Sequence, residues 1–440
     1  MDAVELFAGV GGFRLGLEEH GHHIVWWNQW EPSTKTVQYA FDCYRANTAN
    51  PGILPVAANL DIARVDSCTI AATKPNLLVG GFPCQDYSVM SSLRNAKGLR
   101  GPKGALWWQI ERILNEVDIP YVLLENVPRL LTSGPRESHE HARAKGHDFA
   151  VILRALMDLG YAVEWRVIQA DEYAHYQRRR RVFIFAAKEG TPFHAKMADN
   201  RDNLQFLTQD GFFAPKFPVK DMGVGAREYH DPGTSIPGMV DGKPFRATWR
   251  NAGVAANGVV RTHQVLTDGP DPEVRLGDII QKEDVPEEFF LSEDEATKWK
   301  ALKEGGTNRT RKVGDFTYRF AEGALSFPDS LDRASRTILT NEGSRTPNRT
   351  THIIQAPDGR YRFLTPEECE KLNEFEPGWT AAKPDDREKE TPRRWRYFMM
   401  GNALVVGLVK KMGERLAEIE EMETEAIDQT PSTPPSINQE

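Results

Sequence analysis

Cysteine is scarce in this chain: 440 residues contain four, at positions 43, 68, 84 and 369, and no two of them form a Cys-x-x-Cys pair. This scarcity argues against a disulfide framework and a zinc site, so we predict no metal and a reducing, cytoplasmic environment. The sequence also lacks an apolar run approaching the roughly 20 residues of a membrane span. Its first residues have no basic start and no long apolar stretch, so we expect neither a secretory signal nor a membrane partner.

An overall excess of positive charge is also missing, since the formal net charge is −8. From residue 413 onward eight acids face one arginine, so the rest of the chain is close to neutral. Basic residues cluster within that neutral part, at 178–181, 309–312 and 393–396. Such clusters on a neutral body are compatible with a polyanionic partner.

The first 187 residues alternate apolar runs with stretches of helical pattern. Strands are predicted at 4–8, 24–27, 77–81, 121–124, 162–168 and 182–187, and helices at 13–20, after Pro32, and at 105–116 and 149–159. This alternation predicts an α/β fold with a Rossmann-like, largely parallel sheet and helices on both faces.

In the rest of the chain the amino-acid composition and the regularity of the pattern change twice. Between about 189 and 331 glycine, proline, aspartate and asparagine become frequent, which indicates a separate, smaller, loop-rich domain. Regular patterns return near residue 335. We therefore predict a first domain at 1–188, a second at 189–332, a return to the first at 333–412, and an acidic, disordered tail at 413–440.

Two apolar runs end in residues that can carry chemistry. The run at 77–81 leads into Cys84, and the run at 121–124 ends in Glu125 beside Asn126. A nucleophile and an acid, each at the carboxyl end of its own strand, form a catalytic arrangement. A lone cysteine is more often a buried structural residue. The paired acid favours Cys84 as the nucleophile and Glu125 as its acid partner.

A glycine-rich turn at 6–12 ends the first predicted strand and opens a helix. Gly9 and Gly11 would let a ligand approach the backbone, and a helix N-terminus favours a negative group. The third glycine of a dinucleotide fingerprint would fall at Arg14, which weakens a nicotinamide assignment. A tight turn without a ligand is the alternative.

Polar and aromatic residues follow the second predicted strand and end the next element along the chain. Gln29 can reach ribose hydroxyls, Trp30 can cover an adenine, and Asp61 can accept from an exocyclic amine. Three successive loops with suitable chemistry at one sheet edge indicate a cofactor that contains a nucleoside.

The order of these motifs closely resembles that of the DNA (cytosine-5) methyltransferase family, over about residues 3–187 and 333–412. The matching motifs are Phe7-Ala-Gly-Val-Gly-Gly, Gly81-Phe-Pro-Cys-Gln-Asp-Tyr-Ser, Glu125-Asn-Val, Gln177-Arg-Arg-Arg-Arg-Val, Ser335-Arg-Thr-Ile and Gly401-Asn-Ala. Their joint occurrence in family order is far more specific than any one motif.

The resemblance implies S-adenosylmethionine as the cofactor and a flipped-out cytosine in a specific double-stranded DNA sequence as the substrate. It also implies that residues 189–332 form a target recognition domain. The predicted cofactor-binding residues are Phe7, Gly9, Gly11, Gly12, Gln29, Trp30, Asp61, Ile62, Leu106, Asn402 and Ala403.

The same resemblance implies the catalytic roles. Cys84 would add to carbon 6 of the cytosine, and Glu125 would hold a proton at ring nitrogen 3. Arg181 would bind the cytosine carbonyl, and Arg179 would support the pocket. The polar loop 85–103 is predicted to close over the flipped base.

Two positions depart from the family pattern. The family usually has glutamate where this chain has Gln29, so a charge-assisted hydrogen bond to the ribose is lost unless Glu31 compensates. The family often has Gly-x-Pro before the glutamine of its Gln-x-Arg-x-Arg motif, where this chain has residues 174–176, which affects the conformation of that loop.

Three other functions share parts of this pattern. A tRNA cytosine-5 methyltransferase of the same fold would keep the catalytic residues, but its middle segment would not need to be this long. A non-catalytic DNA-binding relative should have lost Cys84 or Glu125. A nicotinamide-dependent dehydrogenase conflicts with the missing glycine.

The partners implied are double-stranded DNA and a cognate restriction endonuclease that acts on the same sequence, and we expect a monomer. The target sequence is not readable from the chain. Candidate base-reading residues are Arg246, Arg250, Asn251, Arg261 and Arg309.

Overall fold

The computed structural model describes residues 1–34, 36–48, 56–82, 106–134, 145–200, 202–231, 239–240, 243–244, 246–269, 272–313, 316–383 and 389–428. Within the strands at 239–240, 243–244, 307–313 and 316–322, and in the last turn at 426–428, the description covers the backbone, with Thr310 the one side chain included.

The strands are numbered β1 to β18 in chain order. They are β1 (Asp2–Leu6), β2 (His23–Asn28), β3 (Val56–Ala58), β4 (Leu77–Gly81), β5 (Tyr121–Asn126), β6 (Tyr161–Gln169), β7 (Arg180–Lys188), β8 (Val219–Asp221), β9 (Arg227–His230), β10 (Met239–Val240), β11 (Lys243–Pro244), β12 (Ala252–Ala256), β13 (Val259–His263), β14 (Val265–Thr267), β15 (Thr307–Val313), β16 (Phe316–Glu322), β17 (Ile353–Gln355) and β18 (Tyr361–Phe363).

One ten-stranded sheet dominates the described residues, in the order β3-β2-β1-β4-β5-β7-β6-β12-β13-β9. The first five strands pair in parallel, and every pairing from β5–β7 onward is antiparallel. The sheet is therefore mixed, and the prediction that it is largely parallel was wrong. Its antiparallel half arises because β7 inserts between β5 and β6, and because β9, β12 and β13 of the middle segment extend the sheet.

The helices are numbered α1 to α11 in chain order. They are α1 (Gly12–Glu18), α2 (Tyr39–Asn47), α3 (Ser67–Ala71), α4 (Leu106–Glu116), α5 (His147–Asp158), α6 (Pro192–Ala198), α7 (Asn203–Gln205), α8 (Glu293–Glu304), α9 (Pro366–Leu372), α10 (Arg393–Asn402) and α11 (Val406–Asp428).

Helices cover both faces of the sheet, as predicted. On one face α1, α2 and α11 bury residues against alternate strand positions such as Ala3 and Leu77. On the other face α4 and α5 pack on the intervening positions, such as Val4 and Leu78. In α4 the buried residues recur at helical spacing, at Trp107, Ile110, Ile113 and Leu114, which is the pattern of a helix with one apolar face.

A third hydrophobic cluster joins α8, α9 and α10 to the hairpin β17–β18. Its large buried side chains include Trp299, Phe363, Tyr397 and Met400. Val10 of the glycine-rich turn also belongs to this cluster. The late part of the chain therefore packs against the end of the sheet at which that turn lies.

Two predicted boundaries need correction. The helix expected after Pro32 begins at Tyr39, and the tail expected from residue 413 continues as α11 to Asp428. This helix is ordered by burial, since Leu416 and Ile419 are fully buried on the sheet. Acidic composition predicted disorder there, but tertiary packing of one apolar stripe overrides composition. Within the described chain, no helix is both long and apolar enough to cross a bilayer.

Candidate active site

The carboxyl ends of β4 and β5 bring the two predicted catalytic strands together. Gly81 is the register partner of Glu125, and a Cβ atom at Gly81 would lie 3.1 Å from Glu125 Oε2. Asn126 donates from Nδ2 to the carbonyl oxygen of Phe82 at 3.1 Å. Cys84 lies outside the described residues. The chain that leads into it is thus held beside the predicted acid.

Glu125 and Arg181 form an ion pair across β5 and β7. The distance from Arg181 Nε to Glu125 Oε1 is 2.6 Å, and the two side chains are 15% and 14% exposed. A carboxylate and a guanidinium this close and this shielded from water interact more strongly than a surface pair. The structure therefore joins two of the predicted catalytic residues directly.

Arg179 has a different environment from Arg181. It is 1% exposed and donates to the carbonyl oxygens of Ile338 at 3.3 Å and Gly401 at 2.9 Å. Its side chain thus connects the strand that carries Arg181 to two segments from the late part of the chain. This placement suits a residue that supports the site from behind.

Gln177 opens one of the matching motifs but is not among the predicted site residues. It is fully buried, and its Nε2 donates to Leu372 O at 3.3 Å and to Asn373 Oδ1 at 3.1 Å. Its Oε1 accepts from the backbone N–H of Ile338 at 3.0 Å. Only its position at the head of an arginine-rich motif marked it in the sequence.

The residues just before Gln177 show how this chain accommodates its departure from the family pattern. Ala174 adopts a φ of 71°, a left-handed conformation that favours glycine. His175 Nδ1 lies 2.6 Å from Glu374 Oε1, and Glu374 Oε2 accepts from the backbone of Gly407 at 2.9 Å. These contacts tie the loop to the start of α11.

The glycine-rich turn after β1 adopts left-handed backbone at Phe7, Gly9 and Gly11, with φ values of 55°, 58° and 88°. A Cβ atom at Gly11 would lie 2.1 Å from the ring of Tyr44, so no other residue fits there. At Gly9 a Cβ atom would meet nothing within 4 Å. The turn is therefore packed against Tyr44 at Gly11 and open at Gly9. An open backbone of this kind lets a ligand bind close to it.

Two side chains at the end of β2 tie the neighbouring loops together. The Oε1 of Gln29 accepts from the backbone N–H of Gly9 at 2.8 Å. The Nδ2 of Asn28 donates to the carbonyl oxygens of Ala58 at 2.9 Å and Leu60 at 2.8 Å. The three loops predicted to hold the cofactor are thus joined by hydrogen bonds. Glu31 instead accepts from Ser33 at 2.6 Å.

The other predicted cofactor residues lie at element ends around this turn. Asp61 is exposed and caps a short helical turn by accepting from Ala63 N at 3.0 Å, while Ile62 is buried. Leu106 begins α4. Three more are partly or largely exposed: Trp30, Asn402 and Ala403. Leu404, next to Ala403, would lie 3.0 Å from a Cβ atom at Gly12, so the end of α10 reaches the glycine-rich turn.

A buried acid that the sequence did not single out lies under this turn. Glu5 is fully buried, and Tyr44 donates to its Oε2 at 2.6 Å. Burial raises the pKa of Glu5 to about 8, although the hydrogen bond from Tyr44 and the charge of Arg14 oppose this rise. Glu5 thus binds the same ring that packs on Gly11.

A family model matches nearly the whole chain. Residues 1–418 match the family model for C-5 cytosine-specific DNA methylase. The chain belongs to this family. The match spans the sheet, the late segments and most of α11, so it covers all the regions that meet at the site.

This methylase is similar to curated relatives over nearly its whole length. It is 41% identical to Type II methyltransferase M.Sau3AI of Staphylococcus aureus over 97% of this chain and 98% of that protein. It is 24% identical to Type II methyltransferase M.DsaV of Dactylococcopsis salina over 94% of this chain and 85% of that protein. This methylase is accordingly a Type II DNA (cytosine-5-)-methyltransferase of the restriction–modification class.

Solved structures support the fold. A mutant of Spodoptera frugiperda DNMT2 superposes with a TM-score of 0.56 at 13% identity, covering 94% of this chain and 99% of that one. At this identity the likeness speaks to architecture alone. DNA rather than RNA as substrate follows from the family and the curated relatives, so the tRNA, non-catalytic and dehydrogenase alternatives are set aside.

Proposed function

We propose that this methylase transfers a methyl group from S-adenosylmethionine to carbon 5 of a cytosine extruded from double-stranded DNA, through a covalent bond to Cys84. The ion pair of Glu125 with Arg181, beside the end of β4, is the observation that carries this proposal. It places an acid and a cation directly beside the segment that leads to the proposed nucleophile.

The residues around the glycine-rich turn fit the proposed cofactor. Gly9 offers open backbone, the amide of Gln29 bridges two loops, and the carboxylate of Asp61 is exposed at the third. These are suitable partners for a ribose and an adenine. When bound, S-adenosylmethionine supplies an electrophilic methyl group. The residues proposed to hold it are Phe7, Gly9, Gly11, Gly12, Gln29, Trp30, Asp61, Ile62, Leu106, Asn402 and Ala403.

The chain's own residues activate the cytosine. The thiolate of Cys84 forms a bond to carbon 6, and the displaced electron pair makes carbon 5 nucleophilic. Glu125 holds a proton at ring nitrogen 3, which stabilises the adduct. Arg181 orients Glu125 and hydrogen-bonds the cytosine carbonyl oxygen, while Arg179 fixes the strand behind it. A water molecule then accepts the proton from carbon 5. The electron pair left behind restores the double bond to carbon 6, and the sulfur–carbon bond breaks to release the Cys84 thiolate.

The target base must leave the duplex to reach this site. Unstacking and unpairing one base costs a few kcal/mol, and the loop 85–103 is proposed to close over the extruded base. That loop lies outside the described residues. The proposed domains are 1–188 with 333–412 for catalysis and cofactor binding, and 189–332 for target recognition.

Two of the candidate base-reading residues are committed to internal contacts. Asn251 pairs its side chain with the backbone of Val265, donating at 2.7 Å and accepting at 2.9 Å. Arg261 donates to Glu228 at 2.6 Å. The side chain of Asn251 is therefore used within the protein, whereas Arg261 and Glu228 form an exposed pair that leaves the arginine accessible.

The proposed partner, besides double-stranded DNA, is a cognate restriction endonuclease with the same target sequence. The similarity to Type II methyltransferases supports this partner. We propose that the methylase acts as a monomer in the cytoplasm, on nucleoid DNA.

The test of the proposed reaction is a Cys84→Ala variant assayed by bisulfite sequencing of host DNA. In host cells with the wild-type protein, we expect methylated cytosines, which resist bisulfite conversion, in one class of DNA sequence. The variant should leave no cytosine methylated while it still binds DNA in a gel-shift assay. Methylation that persists in the variant would contradict the covalent mechanism.

A further inference from the structure

We infer that the hairpin β15–β16 enters the major groove of DNA and reads bases with one of its two faces. This inference rests on the proposed function, because it assigns target reading within the predicted recognition segment. Neither strand of the hairpin pairs with any other strand in the described part of the chain. It forms a two-stranded ribbon of its own, with seven residues per strand.

The register of the hairpin separates its residues into two faces. Alternate residues of a strand lie on opposite faces, and the pairing runs from Thr307 with Glu322 to Val313 with Phe316. One face, here called the reading face, carries Asn308, Thr310, Lys312, Thr317, Arg319 and Ala321. The other, here called the aromatic face, carries Thr307, Arg309, Arg311, Val313, Phe316, Tyr318, Phe320 and Glu322.

The two faces suit different tasks. On the aromatic face Arg309 is the register partner of Phe320, and Arg311 is the register partner of Tyr318. The reading face consists almost entirely of asparagine, threonine, lysine and arginine, the residue types that hydrogen-bond base edges. Thr310, in the middle of that face, is exposed.

The partner follows from shape and charge. The major groove of B-DNA admits a two-stranded β-ribbon, and its base edges distinguish all four base pairs. Strands β15 and β16 together hold four basic residues and one acidic residue. Their positive charge complements the phosphates that line the groove.

The base of the hairpin is clamped to the body of the protein. The backbone N–H of Leu325 donates to the carbonyl oxygen of Lys303 at 2.9 Å, which closes the ends of the ribbon. Arg349 donates to the carbonyl oxygens of Leu302, at 3.3 Å, and of Gly323. An isolated hairpin is only marginally stable in water. These hydrogen bonds, here called the clamp, therefore fix the direction in which the ribbon extends.

The clamp is also linked, through a chain of contacts, to the strand that carries Arg181. The buried Lys303 pairs with Asp329 at 2.6 Å, and Asp329 pairs with Arg336 at 2.7 Å. Arg336 belongs to the segment whose Ser335 bridges Gln177 in parallel. This segment therefore continues from the hairpin to the strand that carries Arg181, so a base read by the ribbon has a fixed offset from the methylated cytosine.

Charge-matched variants on the two faces test this inference. Lys312→Ala and Arg319→Ala each remove one positive charge from the reading face, and Arg309→Ala and Arg311→Ala each remove one from the aromatic face. All four should lower non-specific DNA binding similarly and reduce the salt slope by about 1. The reading-face variants alone should lose roughly 10- to 100-fold in preference for cognate over altered sites.

The measurements are methylation profiles on randomised duplexes and competition binding, with thermal unfolding to confirm the fold. Unchanged profiles in both reading-face variants, or altered profiles confined to the aromatic-face variants, would overturn the inference. All four variants keep Cys84 and Glu125. Failure of the proposed function would appear as absent methylation in the wild type, whereas failure of this inference leaves wild-type methylation intact.

Discussion

At the scale of single residues, Gln29 uses its amide oxygen for a hydrogen bond inside the protein. Its Oε1 accepts from Gly9 N at 2.8 Å, so the amide oxygen is already used inside the protein. A glutamate at this position could make the same bond with one oxygen and offer the other, with charge, to a ribose hydroxyl. Hydrogen bonds to charged groups are stronger than neutral ones.

Gln29→Glu should therefore tighten S-adenosylmethionine binding by about fivefold, corresponding to roughly 1 kcal/mol. Isothermal titration calorimetry with the cofactor measures the change directly. Gln29→Ala serves as the control, and it should weaken binding because Gly9 loses its acceptor. Weaker binding by the glutamate variant would show that charge at this position opposes the cofactor.

Glu5 gives a prediction about pH. Its pKa rises from 4.5 to about 8 through burial, against the opposing effects of Tyr44 and Arg14, while Glu18 adds to the rise. Between these values the folded state binds more protons than the unfolded state. The free energy of unfolding therefore falls as pH rises through this window, by up to about 1.4 kcal/mol per pH unit.

Glu5→Gln should remove this fall, because a glutamine does not titrate and can still accept from Tyr44. Urea unfolding of both proteins at several pH values from 5 to 9 provides the comparison. Parallel stability curves for the two proteins would rule out Glu5 as the titrating group.

Motifs marked the candidate catalytic residues in the sequence, whereas contacts that only the tertiary structure creates left no such mark. Glu125 and Arg181 were predicted, and they form an ion pair. Gln177 and Glu5 were not predicted as site residues, since their partners Asn373 and Tyr44 are distant in sequence. A hydrogen bond between distant segments leaves no local pattern.

At the scale of elements, the clamp below the hairpin depends on one buried carboxylate. The pKa of Asp329 is lowered because the charges of His352, Arg336 and Lys303 outweigh its burial. Its contribution to stability is present above the ordinary value of 3.8 and is lost as pH falls below it. At neutral pH Asp329 is therefore a carboxylate.

Asp329→Asn should destabilise the protein by roughly 3–5 kcal/mol, because Lys303 is left buried without its counter-charge. The free energy of unfolding in urea is the readout. Asp358→Asn is the matched control, since Asp358 pairs with Arg360 on the surface with both side chains 47% exposed. Equal effects of the two substitutions would contradict a special role for the clamp.

Element types were predicted better than element ends. The strand at 77–81 was predicted with its observed bounds, because glycine and proline residues mark its limits in the sequence. The helix that begins at Tyr39 was placed after Pro32, because proline suits a first helical turn but does not require one. Helix α11 continues past its predicted end. The prediction missed this because the apolar stripe of the helix is narrow and the surrounding sequence is acidic.

At the scale of the whole molecule, alternating strands and helices predicted the α/β class and helices on both faces. They could not predict strand direction. The insertion of β7 between β5 and β6, and the extension of the sheet by β9, β12 and β13, depend on long-range pairing. The resulting sheet carries the proposed cofactor cradle at one end of its parallel half and the ion pair where the antiparallel half begins.

The central claim is that Cys84 forms a covalent bond to the target cytosine, and a mechanism-based trap measures it most directly. DNA with 5-fluorocytosine at the target position is incubated with S-adenosylmethionine and the protein, and the digested complex is analysed by mass spectrometry. Because fluorine does not leave as a proton does, the adduct should accumulate on the peptide that contains Cys84, and Cys84→Ala should give none. A trapped adduct on another residue, or methylation of normal DNA without any adduct on fluorinated DNA, would contradict the account.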